Sequence, residues 1–500
     1  MKYFIQKILL LLRKYFLRPY HYWQFWIFLA IVFKSSLFAF HLSQAESSQL
    51  IPGFIGYASV DSQSYLSPVD NLVDVGSYFP DYRMPGYAVL YLPLRLVFEK
   101  AVACNILSIL QLLLASISVY LLALTARNSF HSDSLFYLVF YLYAASSYAN
   151  LFDDYLLSES LCTSSTIISV YFFSGFINNK SGNHLVASGL FLTWVIFLRP
   201  VYIPLLFLFC GILLLNGMIT KLSIKALLVC LFIFLVPFTV LESCWVARNY
   251  TVHRRIIPLT QTFYYPGLEQ SYLIELIDFV KSWGGDRTWW SPTAEIRWFG
   301  LTEDNPGKSR PLEDKNVSLP DYIFTSRFSL DSLVMIKEYL QIIDNESTSD
   351  SQRTYYTRIV KEKLVHYTQS VEEEKPFLYY VKGPLMLLIK FFVHSGTYNL
   401  FSKPYGSLSK LELMIKIFYS ALYLLTLLTG TVGTLWTLVR GWNNPLAILL
   451  AGMTLYSALF FPIILRQIEF RYFVPAYPLM TIMACYFLVQ ITYLVRSKVQ

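Results

Sequence analysis

The sequence predicts an all-α polytopic membrane protein with about ten transmembrane helices and a folded loop domain outside the bilayer. Three observations carry this. Of 500 residues, 55% are hydrophobic and only 14% are charged, against about 25% charged in soluble domains. A soluble chain could not hide so much apolar side chain, because about 55–60% of any folded surface is apolar already. Apolar runs near the ~20 residues needed to cross a bilayer recur along the chain. Lysines and arginines also fall in alternate short connections, the asymmetry that orients membrane helices.

Residues 1–21 carry Lys2, Lys7, Arg13, Lys14 and Arg18 among Phe and Leu, the pattern of an amphipathic segment on an anionic cytoplasmic face. The first span covers 22–42. Ser43 and Ala45 follow it like a signal-peptidase site, but the apolar run is longer than a signal h-region, so it reads as an uncleaved anchor. After a first external loop, 43–100, spans at 101–125, 132–149, 159–177, 184–199, 201–217 and 226–247 complete an N-terminal membrane module, 22–249. Residues 250–410 hold much of the charge, including Asp278, Lys281, Asp286, Arg287 and the Glu372–Lys375 run. They are expected to form an external domain, mixed α/β or mostly helical. Its late stretch 376–393 is apolar but broken by Lys382, Pro384 and Lys390, which suits an interfacial or re-entrant helix. Spans at 411–439, 445–465 and 472–495 make a C-terminal module, 411–500.

An N-terminus inside puts Arg127, Lys180, Lys221, Lys225, Arg440, Arg496 and Lys498 on the cytoplasmic side. The expectation is an integral plasma (inner) membrane protein with both termini cytoplasmic. The net charge of +8 follows from that orientation, and no nucleic-acid-reading motif accompanies it, so nucleic acid is excluded as a partner. Cys104, Cys162, Cys210, Cys230, Cys244 and Cys485 lie in or beside apolar runs, without the spacing of a zinc site or a disulfide scaffold. They read as packing residues. No fixed-period repeat or Pro/Gly/Ser linker divides the chain.

On this topology, acids and arginines gather at the external ends of the spans. Asp61 begins Asp61-Ser-Gln-Ser-Tyr65-Leu66, and Gly76-Ser-Tyr78 and Arg83-Met-Pro-Gly-Tyr87 follow it in the first loop. Asp153, Asp154 and Glu159 stand in the next external connection. Arg199 precedes Pro200, Arg248 lies in Trp245-Val-Ala-Arg248-Asn249-Tyr250, and Arg471-Tyr472 leads to Pro475 and Pro478. Arginine forks suit a departing phosphate, and a carboxylate suits the proton of an incoming hydroxyl. Bland roles compete: Asp61, Asp153 and Asp154 suit helix caps, Arg83 a turn, and the other arginines lipid headgroups. Against that, external arginines in short connections run counter to the positive-inside rule and so need a reason.

In their order and shared sidedness these motifs, with Leu157-Ser-Glu159 and Leu198-Arg-Pro200, resemble the GT-C superfamily of membrane glycosyltransferases. The nearest likeness is to bacterial relatives of protein O-mannosyltransferases and of the lipid A aminoarabinose transferase. The resemblance covers 22–260 and 411–495; residues 260–410 carry no matching motif. It implies inverting transfer of a sugar from a polyprenyl-phosphate carrier to a glycan, lipid or protein hydroxyl on the external, periplasmic face. It further implies Asp61 as the catalytic base and Asp154 or Glu159 as the second-loop acid. Arg199, Arg248 and Arg471, and after them Arg83, are assigned to the donor phosphate. Ser62 stands where several members have a second acid. No His/carboxylate set demands a metal, though the superfamily leaves a divalent cation open. The competing class is a transporter or flippase of a lipid-linked or small solute, for which paired halves and midplane charges are the expected marks.

Overall fold

The computed structural model describes residues 22–44, 51–150, 152–260, 271–288, 291, 293–301, 312–397, 400–401, 403 and 405–499. The amphipathic segment expected over 1–21 lies outside them. The fold is all-α: among the described residues, β pairing is limited to three isolated bridges. The loop domain is therefore helical rather than mixed α/β. The chain forms two compact units, one of Met1–Gln261, Ser395–Ser457 and Arg471–Gln500, the other of Thr262–His394 and Ala458–Phe470. The residues before the last span thus belong with the loop domain, a division that the sequence modules 250–410 and 411–500 do not draw.

In the N-terminal part of the first unit the main helices are α1 (Trp23–Gln44), α2 (Val60–Val75), α3 (Ala88–Arg95), α4 (Lys100–Phe130), α5 (Asp133–Ala144), α6 (Ser158–Asn179), α7 (Gly182–Leu198), α8 (Ile203–Ile219) and α9 (Ile224–His253). Eight helices among the described residues are long and apolar enough to cross a membrane, up to nine if one bent pair is a span. The chain is a multi-pass membrane protein. Two of the ten expected spans fall short of that length, α5 with 12 residues and α7 with 17. At 1.5 Å per residue α7 spans about 26 Å, near the lower limit for a crossing, but α5 spans only about 18 Å of a ~30 Å core.

The expected span 132–149 is therefore a broken one. The reason is local. Asn150 Nδ2 donates to the carbonyls of Ser146 (2.5 Å) and Ala144 (3.3 Å), a side-chain alternative to continuing the helix. A one-turn helix, Ser147–Asn150, and non-helical chain at 152–157 come before α6 begins. This stretch is almost wholly buried, as irregular backbone at membrane depth must be.

Around it, α6 packs on α4 and α7, α4 on α1 and α5, and α7 on α9. The C-terminal helices α14 (Lys410–Arg440) and α16 (Tyr477–Val499) pack on each other, and α16 also on α5. Their approach needs Gly433, where a Cβ would lie 2.2 Å from the Met483 carbonyl oxygen. Helices α9 and α14 turn most of their apolar surface outward, as lipid-facing helices do. The cysteines are free, with Cys104, Cys162 and Cys485 buried, Cys210 and Cys230 half-buried, and Cys244 exposed.

The second unit folds round Phe279, Trp283, Phe299, Ile323, Leu333, Ile336, Val360 and Leu364, all buried. Its helices α10 (Leu273–Ser282) and α11 (Leu330–Asp344) pack on α12 (Asp350–Glu374). After α12 the chain bends by 103° into a π-helical turn, Leu378–Lys382, and α13 (Gly383–Val393). This is the stretch expected as interfacial or re-entrant. α13 packs against Phe460–Ile464, the π-helical end of α15 (Pro445–Leu459). The lysines of the turn and of α13 face the protein: Lys390 bonds Glu295 at 2.6 Å, and Lys382 lies 3.8 Å above the Tyr322 ring. Phe377, Val381, Leu385, Ile389 and Val393 are left as an exposed stripe at four-residue spacing.

Candidate functional site

Five of the seven site residues named from sequence meet in the first unit. Asp61 stands in the first turn of α2. Ser59 and Ser62 occupy the cap there, Ser62 Oγ accepting the Ser59 N–H at 2.9 Å, so the Asp61 carboxylate is free of that duty. Arg471 Nη1 donates to Asp61 Oδ2 at 2.6 Å, and Arg471 Nε stands 3.9 Å from Glu159 Oε1. Glu159, in the first turn of α6, accepts from Arg199 Nη2, while Arg199 Nε donates to Ser158 Oγ at 3.0 Å.

The chain of contacts continues to the last arginine. Ser158 Oγ lies 2.9 Å from Tyr65 Oη, which accepts from Arg83 Nη1 at 2.9 Å. The Arg83 guanidinium sits 4.1 Å above the Tyr65 ring, and its Nε donates to Ser64 Oγ. Ser64 in turn donates to the Asp61 carbonyl, which closes the contacts into a ring. The Tyr472 ring lies 5.2 Å from the Arg199 guanidinium and 5.9 Å from that of Arg471.

Local sequence explains the placement. Arg199 ends α7 in extended conformation (φ −148°, ψ 95°) because the residue before a proline is driven out of the helical region. The Arg83 turn reaches the same helix end through Gly86, where a Cβ would lie 2.4 Å from the Phe197 carbonyl carbon. The Trp194 indole N–H donates to the Gly86 carbonyl at 2.9 Å. No other residue type fits at Gly86 without moving Arg83 or the chain that leads to Arg199.

The ring is graded in depth. The Glu159 side chain is fully buried and that of Arg199 is 8% exposed, whereas Asp61 and Arg471 are 31% and 27% exposed. Burial alone would raise the Asp61 pKa, but the charge and hydrogen bond of Arg471, with the charges of Arg83 and Arg199, hold the carboxyl below its ordinary value. Three guanidiniums face two carboxylates, so the ring carries excess positive charge. Arg199 Nη1 is buried with no hydrogen-bond partner among the described residues, an unmet donor that an anion's oxygen would satisfy. Asp61 and Glu159 are each engaged by an arginine, and among the described residues no group of three or more His, Cys, Asp or Glu side chains could hold a metal ion.

Two of the residues expected at the site stand elsewhere. Arg248 bonds Asp81 and the Tyr78 carbonyl (2.8 Å) and stacks 5.1 Å from Trp245. His253 Nε2 shares Asp81 at 2.6 Å. Burial raises the Asp81 pKa, but the hydrogen bonds and charges of Arg248 and His253 leave it below the ordinary value. Arg248 thus links the first loop to the end of α9, its guanidinium occupied by Asp81 and the Tyr78 carbonyl. Asp154 is buried, its carboxylate without a hydrogen-bond partner among the described residues and 3.9 Å from His41 Nδ1. Of the two second-loop acids, Glu159 is the one bonded into the arginine ring.

Sequence reasoning passed over Ser158 and Tyr65 as site members, and Lys34 and Asp81 altogether. Tyr65 stands four residues after Asp61 on one helical face, a spacing that offered a signal. Lys34, a lysine inside an apolar span, offered another. No family model matches the sequence, and neither a curated protein nor a solved structure matches it.

Proposed function

We propose that this chain is an inverting membrane glycosyltransferase that moves a sugar from a polyprenyl-phosphate carrier to a hydroxyl acceptor. The observation that carries the reading is the ring itself: an accessible carboxylate, Asp61, bonded to one of three arginines, with an unmet guanidinium N–H on Arg199 behind it. In the reaction the acceptor oxygen attacks C1 of the sugar, the C1–O bond to the phosphate breaks, and the hydroxyl proton passes to Asp61. The polyprenyl phosphate leaves as an anion that Arg471, Arg199 and Arg83 neutralise. An arginine fork matches phosphate geometry better than a lysine point charge.

Asp61 paired to Arg471 is a weak base. Arrival of the donor phosphate gives Arg471 a second anion to bind and releases Asp61 toward the acceptor, which ties base activation to donor binding. The acid and arginine ring, not the resemblance alone, is what the proposal stands on.

One observation favours a transporter or flippase instead. The broken helix between α5 and α6, with charged groups buried at membrane depth, is a device that carriers use for solute sites. Purified protein in detergent separates the two, since vectorial transport is impossible there. A transferase consumes a polyprenyl-phosphate sugar when acceptor is added; donor left intact across a panel of donors and acceptors, with transport restored in vesicles, favours the carrier.

A further inference from the structure

We infer that Lys34, in the first membrane helix, is a positioning residue for the Glu159–Arg199 pair; its chemical consequence rests on the reading of the arginine ring as a phosphate site. Lys34 lies about 15 Å along the axis from the end of α1 at Gln44, within an apolar span. A lysine facing lipid would snorkel to the headgroups. Lys34 does not: its side chain is 1% exposed and its Nζ donates to Asp153 Oδ2 at 2.7 Å.

The other Asp153 oxygen, Oδ1, accepts from Ser160 Oγ at 2.6 Å. Ser160 follows Ser158 and Glu159 in the first turn of α6, and those two residues hold Arg199 by its Nε and Nη2. The carboxylate of Asp153 therefore ties α1 to the turn that orients Arg199. The Gln111 side chain braces the same stretch: its Nε2 donates to the Tyr155 carbonyl at 2.9 Å and its Oε1 accepts from Tyr87 Oη at 3.0 Å.

The arrangement follows from the shortness of α5. Because that helix stops after 12 residues, the connection to α6 is buried within the protein with Asp153 (4% exposed), which needs a cation from a neighbouring helix. Lys34 supplies it. The second Asp153 oxygen, which any buried pair must satisfy, is satisfied by the turn beside Glu159, so the geometries of the pair and of that turn are coupled.

The experiment compares Lys34→Arg, Lys34→Met and the double variant Lys34→Met/Asp153→Asn with the wild type in detergent, reading binding of decaprenyl phosphate. Lys34→Met strands a buried carboxylate, so the double variant, with both charges removed, carries the test if the single one fails to fold. Positioning predicts that Lys34→Arg binds within about twofold of wild type, while the folded double variant binds about tenfold more weakly. A folded double variant that binds like wild type makes the pair merely structural and overturns the proposal. If the wild type itself does not bind decaprenyl phosphate, the phosphate reading fails instead. Hydrogen exchange then decides the positioning claim: faster exchange in the double variant over residues 156–162 and 196–202, with α16 unchanged, supports it, and unchanged exchange over both stretches overturns it.

Discussion

Asp61 and Arg471 lie 410 positions apart in sequence and 2.6 Å apart in space, and their bond sets the acid–base behaviour of the site. An isolated aspartate titrates at ~3.9; in this chain burial pushes the carboxyl up, and the charge and hydrogen bond of Arg471 together with the charges of Arg83 and Arg199 outweigh it and keep the carboxyl below the ordinary value. The sign follows. Asp61 is ionised from the ordinary carboxylate range upward, so its pairing supports the fold above the unfolded pKa and is lost as pH falls through the lowered one. The kcat/KM for transfer, which reports the donor-free protein, should accordingly stay flat from neutrality down to about pH 4, and Arg471→Met, which removes the strongest lowering influence, should move its acid limb upward. A pH–rate profile of the two proteins checks this; coincident limbs would mean that Arg471 does not tune Asp61. Sequence reading at this scale was uneven for a physical reason. Asp61, Arg83, Glu159, Arg199 and Arg471 were legible because charge at a helix end beside lipid has few uses. Arg248 looked the same, yet its true partner, Asp81, lies 167 positions away, and no local pattern announces such a pair.

At the scale of elements, most helices could be read from hydropathy, since a run of ~20 apolar residues has few alternatives to crossing. α5 could not. Its apolar run continues past Ala144, and the helix ends early where the side chain of Asn150 turns back on the carbonyls of Ala144 and Ser146. α13 tests a different element. Its lysine and that of the turn before it are bound to protein, its apolar stripe is exposed, and it packs on the end of a span, so the stripe should lie in the outer part of a lipid leaflet. Bimane on Leu385→Cys or Ile389→Cys in nanodiscs should be quenched by lipids with a nitroxide near the headgroup. Rapid reaction of both thiols with a membrane-impermeant maleimide, without lipid quenching, would place that face in water.

For the molecule as a whole, the sparse charge is sorted by role. Lys180 and Arg127 mark connections on the side that the positive-inside rule calls cytoplasmic, and the acid and arginine ring gathers the opposite helix ends. Asn183→Cys, beside Lys180, and Ser77→Cys, in the first loop, are both at exposed positions. An impermeant thiol reagent should label Ser77→Cys in intact cells and Asn183→Cys only after the membrane is opened. The reverse pattern would invert the topology and put the ring in the cytoplasm.

In the proposed reaction Asp61 takes the acceptor proton while the arginines hold the leaving phosphate. Asp61→Asn keeps the size and polarity of the side chain but removes the base. In a single-turnover assay with a polyprenyl-phosphate sugar, this variant should insert and bind donor like the wild type and form product at least about a hundredfold more slowly. Near-wild-type product formation by Asp61→Asn would contradict the account.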